Sequence, residues 1–518
     1  MGQHGKTQWW IVGVLFLGLL GSLCWLGIVK IESTLRTEII QAIEERFDAK
    51  ASIENIDISL FPSVQMTGTR LVLWRGTESD PPLIKVDRFT IDSDITKLRQ
   101  RPIRIHQLVL ENLVIQIPPK DQKQHRANAV AHVTKTAYHP VEANRAENLF
   151  LIENIQADGT ILKIIPRDPD KDPLLFELFK LNLMFVERNR PMQFQAILKN
   201  AKPPGLIETN GTFGPWQKED PGTTPVSGNY TFGNADLSVF QGISGKLSST
   251  GQFRGALNHI EASGTTDTPD FAVGTGNHPV HLTTKFDSII DGTNGDTLLQ
   301  PVLAHFENSD IECRGGVVKR KGIDGKFVIL NVKVTKGRAE DFLRLVVPGR
   351  ALMVGGMSFA ADLEIPPGNV DIVKKIKLKG NFQLANAEFT SDTVQNKIET
   401  LSKRSRGIHD EETNERIVSN MQGTFQLGNG SISFSRLLFT VPGSHVDLKG
   451  SYGLITQKLD FHGTLQMQAK LSQTQTGVKS LLLKLVDPFF KKGKAGAVLP
   501  IKITGERSNP QFGLELGR

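Results

Sequence analysis

Cysteine is nearly absent from this chain, with two residues in 518, Cys24 and Cys313. Cys24 lies in an uncharged apolar run and Cys313 far along a polar region. The two should not pair, and neither has a neighbour at metal-ligand spacing. That excludes a disulfide scaffold and a zinc module. Clustered positive charge is missing too. The net charge is +7, but lysines and arginines are scattered, so nucleic-acid binding has no footprint and an anionic lipid surface suits the balance equally well.

Signatures of chemistry are also lacking. In GISGKL from Gly242, no Ser or Thr follows Lys246 and the upstream glycine spacing of a phosphate loop is missing; GTGNHP from Gly274 lacks a third glycine. His278 and His281 are three apart, which in a strand puts them on opposite faces, away from any shared metal. There is no His-Glu-x-x-His and no Gly-x-Ser-x-Gly elbow, and the carboxylates are dispersed. The expectation is a protein that is not an enzyme, with no catalytic residue, no metal and no cofactor.

What the chain has in abundance is glycine (48) and phenylalanine (28), against 3 tyrosines, a composition of strands and turns. Three ten-residue copies of one pattern run through it: GNYTFGNADL from Gly228, GNFQLANAEF from Gly380 and GTFQLGNGSI from Gly423. In each, a glycine opens a strand whose second and fourth following residues are large and apolar. These are Tyr230 and Phe232, Phe382 and Leu384, and Phe425 and Leu427. Side chains two apart share a face, so each copy shows an apolar pair on one side and polar residues on the other. The Gly-Asn-Ala, Ala-Asn-Ala or Gly-Asn-Gly that follows tolerates positive φ and predicts a hairpin turn. A repeated strand-turn-strand unit points to an extended β architecture.

The one long apolar run, Trp9 to Val29, holds 21 residues without a charge. At 1.5 Å per residue it spans about 30 Å, the thickness of a bilayer core. Trp9 and Trp10 suit the interface, and Leu15, Leu19, Trp25 and Val29 lie along the span. No small-x-small site follows in GIVKIEST, and Leu23 is too large for the position before a lipidated cysteine, so the run is read as an uncleaved anchor. A short tail and a large polar body favour an exported body.

Beyond the anchor, Ile31, Leu35, Ile39, Ile43 and Phe47 recur every four residues, an amphipathic helix. From Ser52 the period becomes two and strands follow. The expected organisation is a tail and span over 1–30, a helix and first β region over 31–120, and a polar linker over 121–148. A central β region fills 149–370, and β repeats with a closing helix fill 371–518. Helices are expected at Ala339 to Val346, Asp392 to Lys403 and Val478 to Phe490.

The span, the amphipathic helix, IENIDISLFPSVQMTGTRLVLWRG from Ile53 and PLIKVDRFTIDSDITKLRQRPIRIHQLVLENLVIQI from Pro82 follow one another in an order that resembles bacterial AsmA-like proteins. VPGSHVDLKGSYGLITQKLDFHGTL from Val441 and LPIKITGERSNPQFGLEL from Leu499 resemble that family's closing segment. Both ends match well, the middle loosely, and the chain is short for the family. The resemblance implies an inner-membrane anchor, a periplasmic body, a role in outer-membrane biogenesis, and a curved antiparallel β-sheet whose apolar groove carries phospholipid. The six repeat residues are the groove candidates. A second reading is an assembly factor that holds outer-membrane or envelope protein partners through its sheet edges.

Overall fold

The structure, a computed structural model, describes residues 36–515 apart from 38–39, 42, 45–48, 60–63, 75–80, 94–102, 119–149, 167–170, 188–189, 201, 218, 275–277, 348, 408–416 and 470–496. It is mainly β: 26 strands in one sheet, with few helices. The first strands are β1 (Lys50–Ser52), β2 (Asn55–Ser59), β3 (Val64–Trp74), β4 (Ile84–Ser93), β5 (Ile103–Glu111) and β6 (Val114–Ile117). Next come β7 (Phe150–Ile164), β8 (Leu174–Val186), β9 (Met192–Asn200), β10 (Gly205–Phe213), β11 (Pro225–Asp236), β12 (Ile243–Ser244) and β13 (Lys246–Ala256). The middle continues with β14 (His259–Val273), β15 (Val280–Ile290), β16 (Thr297–Phe306), β17 (Ser309–Val318), β18 (Phe327–Arg338) and β19 (Met353–Ile365). The last are β20 (Lys377–Phe389), β21 (Ser419–Gly428), β22 (Ser431–Val441), β23 (Ser444–Gly453), β24 (Lys458–Met467), β25 (Ala497–Glu506) and β26 (Asn509–Leu514).

The strands lie in chain order, each antiparallel to its neighbour, with local exceptions. β1 and β2 both pair with β3, and β12 is a fragment on β14, so β11 pairs with β13. β5 and β6 pair end to end with β4, and both run parallel to β7. The sheet is therefore mixed, not wholly antiparallel as the sequence suggests. A parallel step needs a crossover that returns the chain to the other end of the sheet. The polar stretch expected over 121–148 falls in that connection but lies outside the described residues.

Among the described residues, three α-helices sit between strands: α1 (Ala339–Val346), α2 (Ile372–Lys375) and α3 (Asp392–Arg406). α1 occupies the expected residues. α3 runs three residues past the expected end, to Gly407 at φ 74°, with Lys403, Arg404 and Arg406 beside the carbonyls of its last turn. Arg36, Thr37, Ile40, Gln41, Ile43 and Glu44 are helical, and Ile40 and Ile43 pack on the N-terminal core. The apolar run Trp9 to Val29 and the segment Val478 to Phe490 lie outside the described residues. Among those described, no helix is long and apolar enough to cross a membrane.

The three asparagines of the repeat share one backbone state: Asn234, Asn386 and Asn429 have φ of 54°, 52° and 51°. They use it differently. Asn429 turns the β21–β22 hairpin, as expected. Asn234 and Asn386 instead sit in bulges inside β11 and β20, between Phe232 and Ala235 and between Leu384 and Ala387. There the extra residue keeps the following alanine on the face of the preceding apolar residue, and Ala235 and Ala387 are buried.

The C-terminal edge carries an ionic clasp. His462 on β24 meets Glu515, just past β26, at 2.9 Å through Nδ1 and Asp460 at 3.0 Å through Nε2. The hydrogen bonds to Glu515 and then Asp460 raise the imidazole above its ordinary 6.5. The carboxylates hold the charged form. Its contribution is therefore complete below the unfolded imidazole value and lost as pH rises through the higher native one. Hydrogen-exchange protection of β26, corrected for intrinsic rates, is expected to fall from about pH 6 to about pH 8, and His462→Gln should lower it and abolish that dependence.

Candidate functional site

Pairing register converts the period-two pattern into a surface. Ile58 on β2 lies opposite Met66, which lies opposite Ile91, then Leu108, Ile155 and Leu183. The row continues through Phe194, Gly211, Gly228, Phe253 and Ala262. Past Ser288, Leu299 and Gly315 it runs through Leu330, Leu363 and Leu378. It then passes Leu427, Ile432, Tyr452 and Leu459 and ends at Gly505 and Pro510 on β26. From β2 to β26 this row contains no charged residue.

All six repeat residues lie on this face. Leu427 is in the row just traced. Tyr230 begins a parallel row that passes Gly251, Gly264, Phe286, Val302 and Cys313, and through Val332, Ala361 and Gly380 reaches Phe425. Phe232 pairs with Ile207 and Ser249, Phe382 with Phe359 and Gly423, and Leu384 with Met357 and Met421. The copies are spread along the sheet: the Tyr230 pair lies near the middle and the other two lie together towards the C-terminal end. Leu384 and Phe425 are buried, and the other four are half-buried.

The glycines explain how bulky rings fit on a continuous sheet. A Cβ at Gly251 would sit 2.8 Å from the Tyr230 ring, and one at Gly228 would sit 2.9 Å from Phe253. Each ring lies over the bare backbone of the strand beside it. Gly423 under Phe382 and Gly450 under Phe461, both at 2.9 Å, repeat the arrangement. Beyond them the rings form a chain: Phe382 stands 6.1 Å from Phe425 and 6.0 Å from Phe434, and Phe434 stands 5.9 Å from Phe461. The cross-strand glycine was a signal the sequence carried, but only the register gives each glycine its ring.

Polar groups on this face are muted. The Tyr230 hydroxyl bonds Ser249 Oγ at 3.0 Å, and burial pushes its phenol up despite that bond. Burial likewise raises the Cys313 thiol, with Glu312 adding to it, so this cysteine behaves as a small apolar group. The opposite face is mostly polar, and some of its groups pair with one another, as in Arg254 with Glu261 at 3.2 Å and His305 with Asp310 at 2.7 Å.

Loops from opposite rims of the sheet meet. Lys171, between β7 and β8, pairs with Asp296, between β15 and β16, at 2.5 Å. Lys319, between β17 and β18, pairs with Asp172 at 2.5 Å and its amide bonds Asp296 at 3.2 Å; the hydrogen bond to Lys319 lowers the Asp172 carboxyl. Lys326 joins this group by bonding the Gly295 carbonyl, and burial lowers its ammonium despite Asp296. A second junction joins the β11–β13 loop to the start of α2, where the Ile372 amide donates to Gln241 O at 3.0 Å. In a third, Ile117 and Ile164 are buried with Leu257 of the β13–β14 turn.

Among the described residues no group of three His, Cys, Asp or Glu side chains converges to hold a metal ion. No protein-family model, curated protein or solved structure matches the chain.

Proposed function

We propose that this chain carries phospholipid along its apolar face, as a periplasmic body held to the inner membrane by the run Trp9 to Val29, and does no chemistry itself. The observation that carries the reading is the uncharged row from Ile58 to Pro510. A sheet with one apolar and one polar face must cover the first or fill it. Among the described residues, α1, α2 and α3 are too few and too short to cover 26 strands. Acyl chains suit the role, since each buried methylene contributes about 0.8 kcal/mol and a uniform row lets a chain slide.

The rim contacts support a curved, groove-like sheet. Neighbouring strands twist by roughly 20–25°, so seven steps accumulate about 140–175°. That brings the end of one strand to the side where a strand seven steps on begins. Seven ladder steps separate the β7–β8 loop from the β15–β16 loop, and the β11–β13 loop from the β19–β20 loop. The junctions at Asp296 and Ile372 then act as straps across the mouth of a trough.

Photo-crosslinking in cells tests the reading. A crosslinking side chain at Phe232, Phe382 or Leu427 is expected to trap phospholipid several-fold more often than one at Thr231, Gln383 or Gln426 on the other face. Equal yields on both faces would sink the proposal. Protein adducts confined to β26 would favour the assembly-factor reading, for which the exposed Phe512 and Leu514 on that edge strand speak.

A further inference from the structure

We infer that the polar face of β18 to β22 holds a binding site for an anionic, hydroxyl-rich oligosaccharide. A concavity of about 650 Å³ opens there, on the side of the sheet away from the apolar row. That volume lies within the range of about 300–1,000 Å³ typical of small-molecule sites. Two register rows of side chains line it. In the first, Lys333, Ala360, Asn381, Thr424 and Arg436 lie opposite one another across five strands. In the second, Ser358, Gln383, Gln422 and Leu438 do the same.

Three observations point to a ligand of this class. First, no carboxylate lines the concavity, while a cation stands at each end of the first row. The four strand steps between Lys333 and Arg436 make at most about 19 Å along the sheet, the scale of a short chain of sugar rings. Second, the polar side chains between the cations are amides and hydroxyls, which donate and accept and so match sugar hydroxyls in either sense.

Third, these groups have no partners. Among the described residues, the side chains of Lys333, Ser358, Asn381, Gln383, Gln422 and Thr424 make no hydrogen bond or ion pair within the protein. Arg436 alone has a partner, Asp447 at 3.5 Å from Nε, outside the concavity. Some groups elsewhere on the polar face do pair. Thr250 meets Thr265 at 3.4 Å, and Asn331, one rung from Lys333, bonds Asp362 at 3.1 Å. Carboxylates on a sugar chain would meet Lys333 and Arg436, and its hydroxyls would meet the amides between them.

Calorimetric titration of the full chain with a tetramer of galacturonic acid tests this, with a glucose tetramer and inorganic phosphate as comparisons. The acidic tetramer is expected to bind, and Lys333→Ala and Arg436→Ala to weaken it roughly two- to fivefold each. Asn381→Ala with Gln422→Ala should weaken it further, and Lys285→Ala, elsewhere on the same face, should leave it unchanged. All these side chains are exposed, that of Lys285 included, and circular dichroism of each variant confirms that the fold persists. No binding, equal binding of the glucose tetramer, competition by phosphate alone, or an equal loss in Lys285→Ala would each overturn the inference. Because the variants lie on the face opposite the apolar row, this result and the lipid crosslinking fail independently.

Discussion

Replacing Phe306 by alanine is expected to release the centre of the sheet locally, at a cost of about 3–5 kcal/mol. The side chain is 1 % exposed at the end of β16, and its ring meets Phe342 of α1 edge-on at 5.2 Å. Phe342 in turn meets Phe359 of β19 edge-on at 5.3 Å. One helical ring thus joins strands on either side of β17 and β18, and truncating Phe306 leaves a void that neither partner can fill without leaving the other. In a sheet whose contacts are nearly all between neighbours, unfolding need not be all-or-none. The expected readout is a loss of hydrogen-exchange protection confined to β16, β17 and α1, with β3 to β8 unchanged. Protection that falls evenly along the chain, or not at all, would contradict the local role.

The second large effect is expected at Asp341, in the first turn of α1 and 1 % exposed. Its carboxylate accepts from the Asn308 amide at 3.0 Å and from Ser309 Oγ at 2.7 Å, and Ser309 Oγ accepts from the Arg338 amide at 2.9 Å. The network ties the start of α1 to the β16–β17 turn. Asp341→Ala leaves the buried Ser309 hydroxyl without an acceptor, at a cost of about 1–3 kcal/mol, and also frees the Asn308 amide. Asp341→Asn keeps one acceptor oxygen and should recover part of the loss. Exchange at Asn308 and across α1 measures both variants, and an alanine variant as protected as the parent would dismiss the network as incidental. Combined with Phe306→Ala, the loss should be less than additive, because both anchors hold the same helix.

The parts of this fold that are legible in sequence are those set by local chemistry. Period-two patterning marks the strands from β2 onward, and the acid-rich start and apolar spacing of residues 339–346 mark α1. The asparagines of the repeats are legible as positive-φ residues. Whether such a residue closes a hairpin, as Asn429 does, or bulges a strand, as Asn234 and Asn386 do, depends on whether the same neighbour strand resumes pairing beyond it. That is decided by Leu247 and Ser419 on other strands, not by the ten residues of the repeat. The parallel step at β7 is hidden for the same reason, since partner choice is not a local property.

The candidate sites divide likewise. The apolar pairs are visible as a pattern, and their common face follows from the period. Their grouping into rows, with a glycine beneath each ring, needs the register of neighbouring strands. The concavity behind β18 to β22 is invisible in sequence, because Lys333, Asn381 and Arg436 each read as a solvated strand residue.

Contacts between loops seven strands apart give the sheet a phase. A ladder of neighbours by itself accepts the gain or loss of a hairpin anywhere, because each strand needs only the next. Here a missing hairpin would rotate everything beyond it by about 40–50°. Lys171 would then face a different loop from the one that holds Asp296. Strand number between the junctions is therefore tied to twist, so its variation is expected to be tolerated at the two ends and resisted between them.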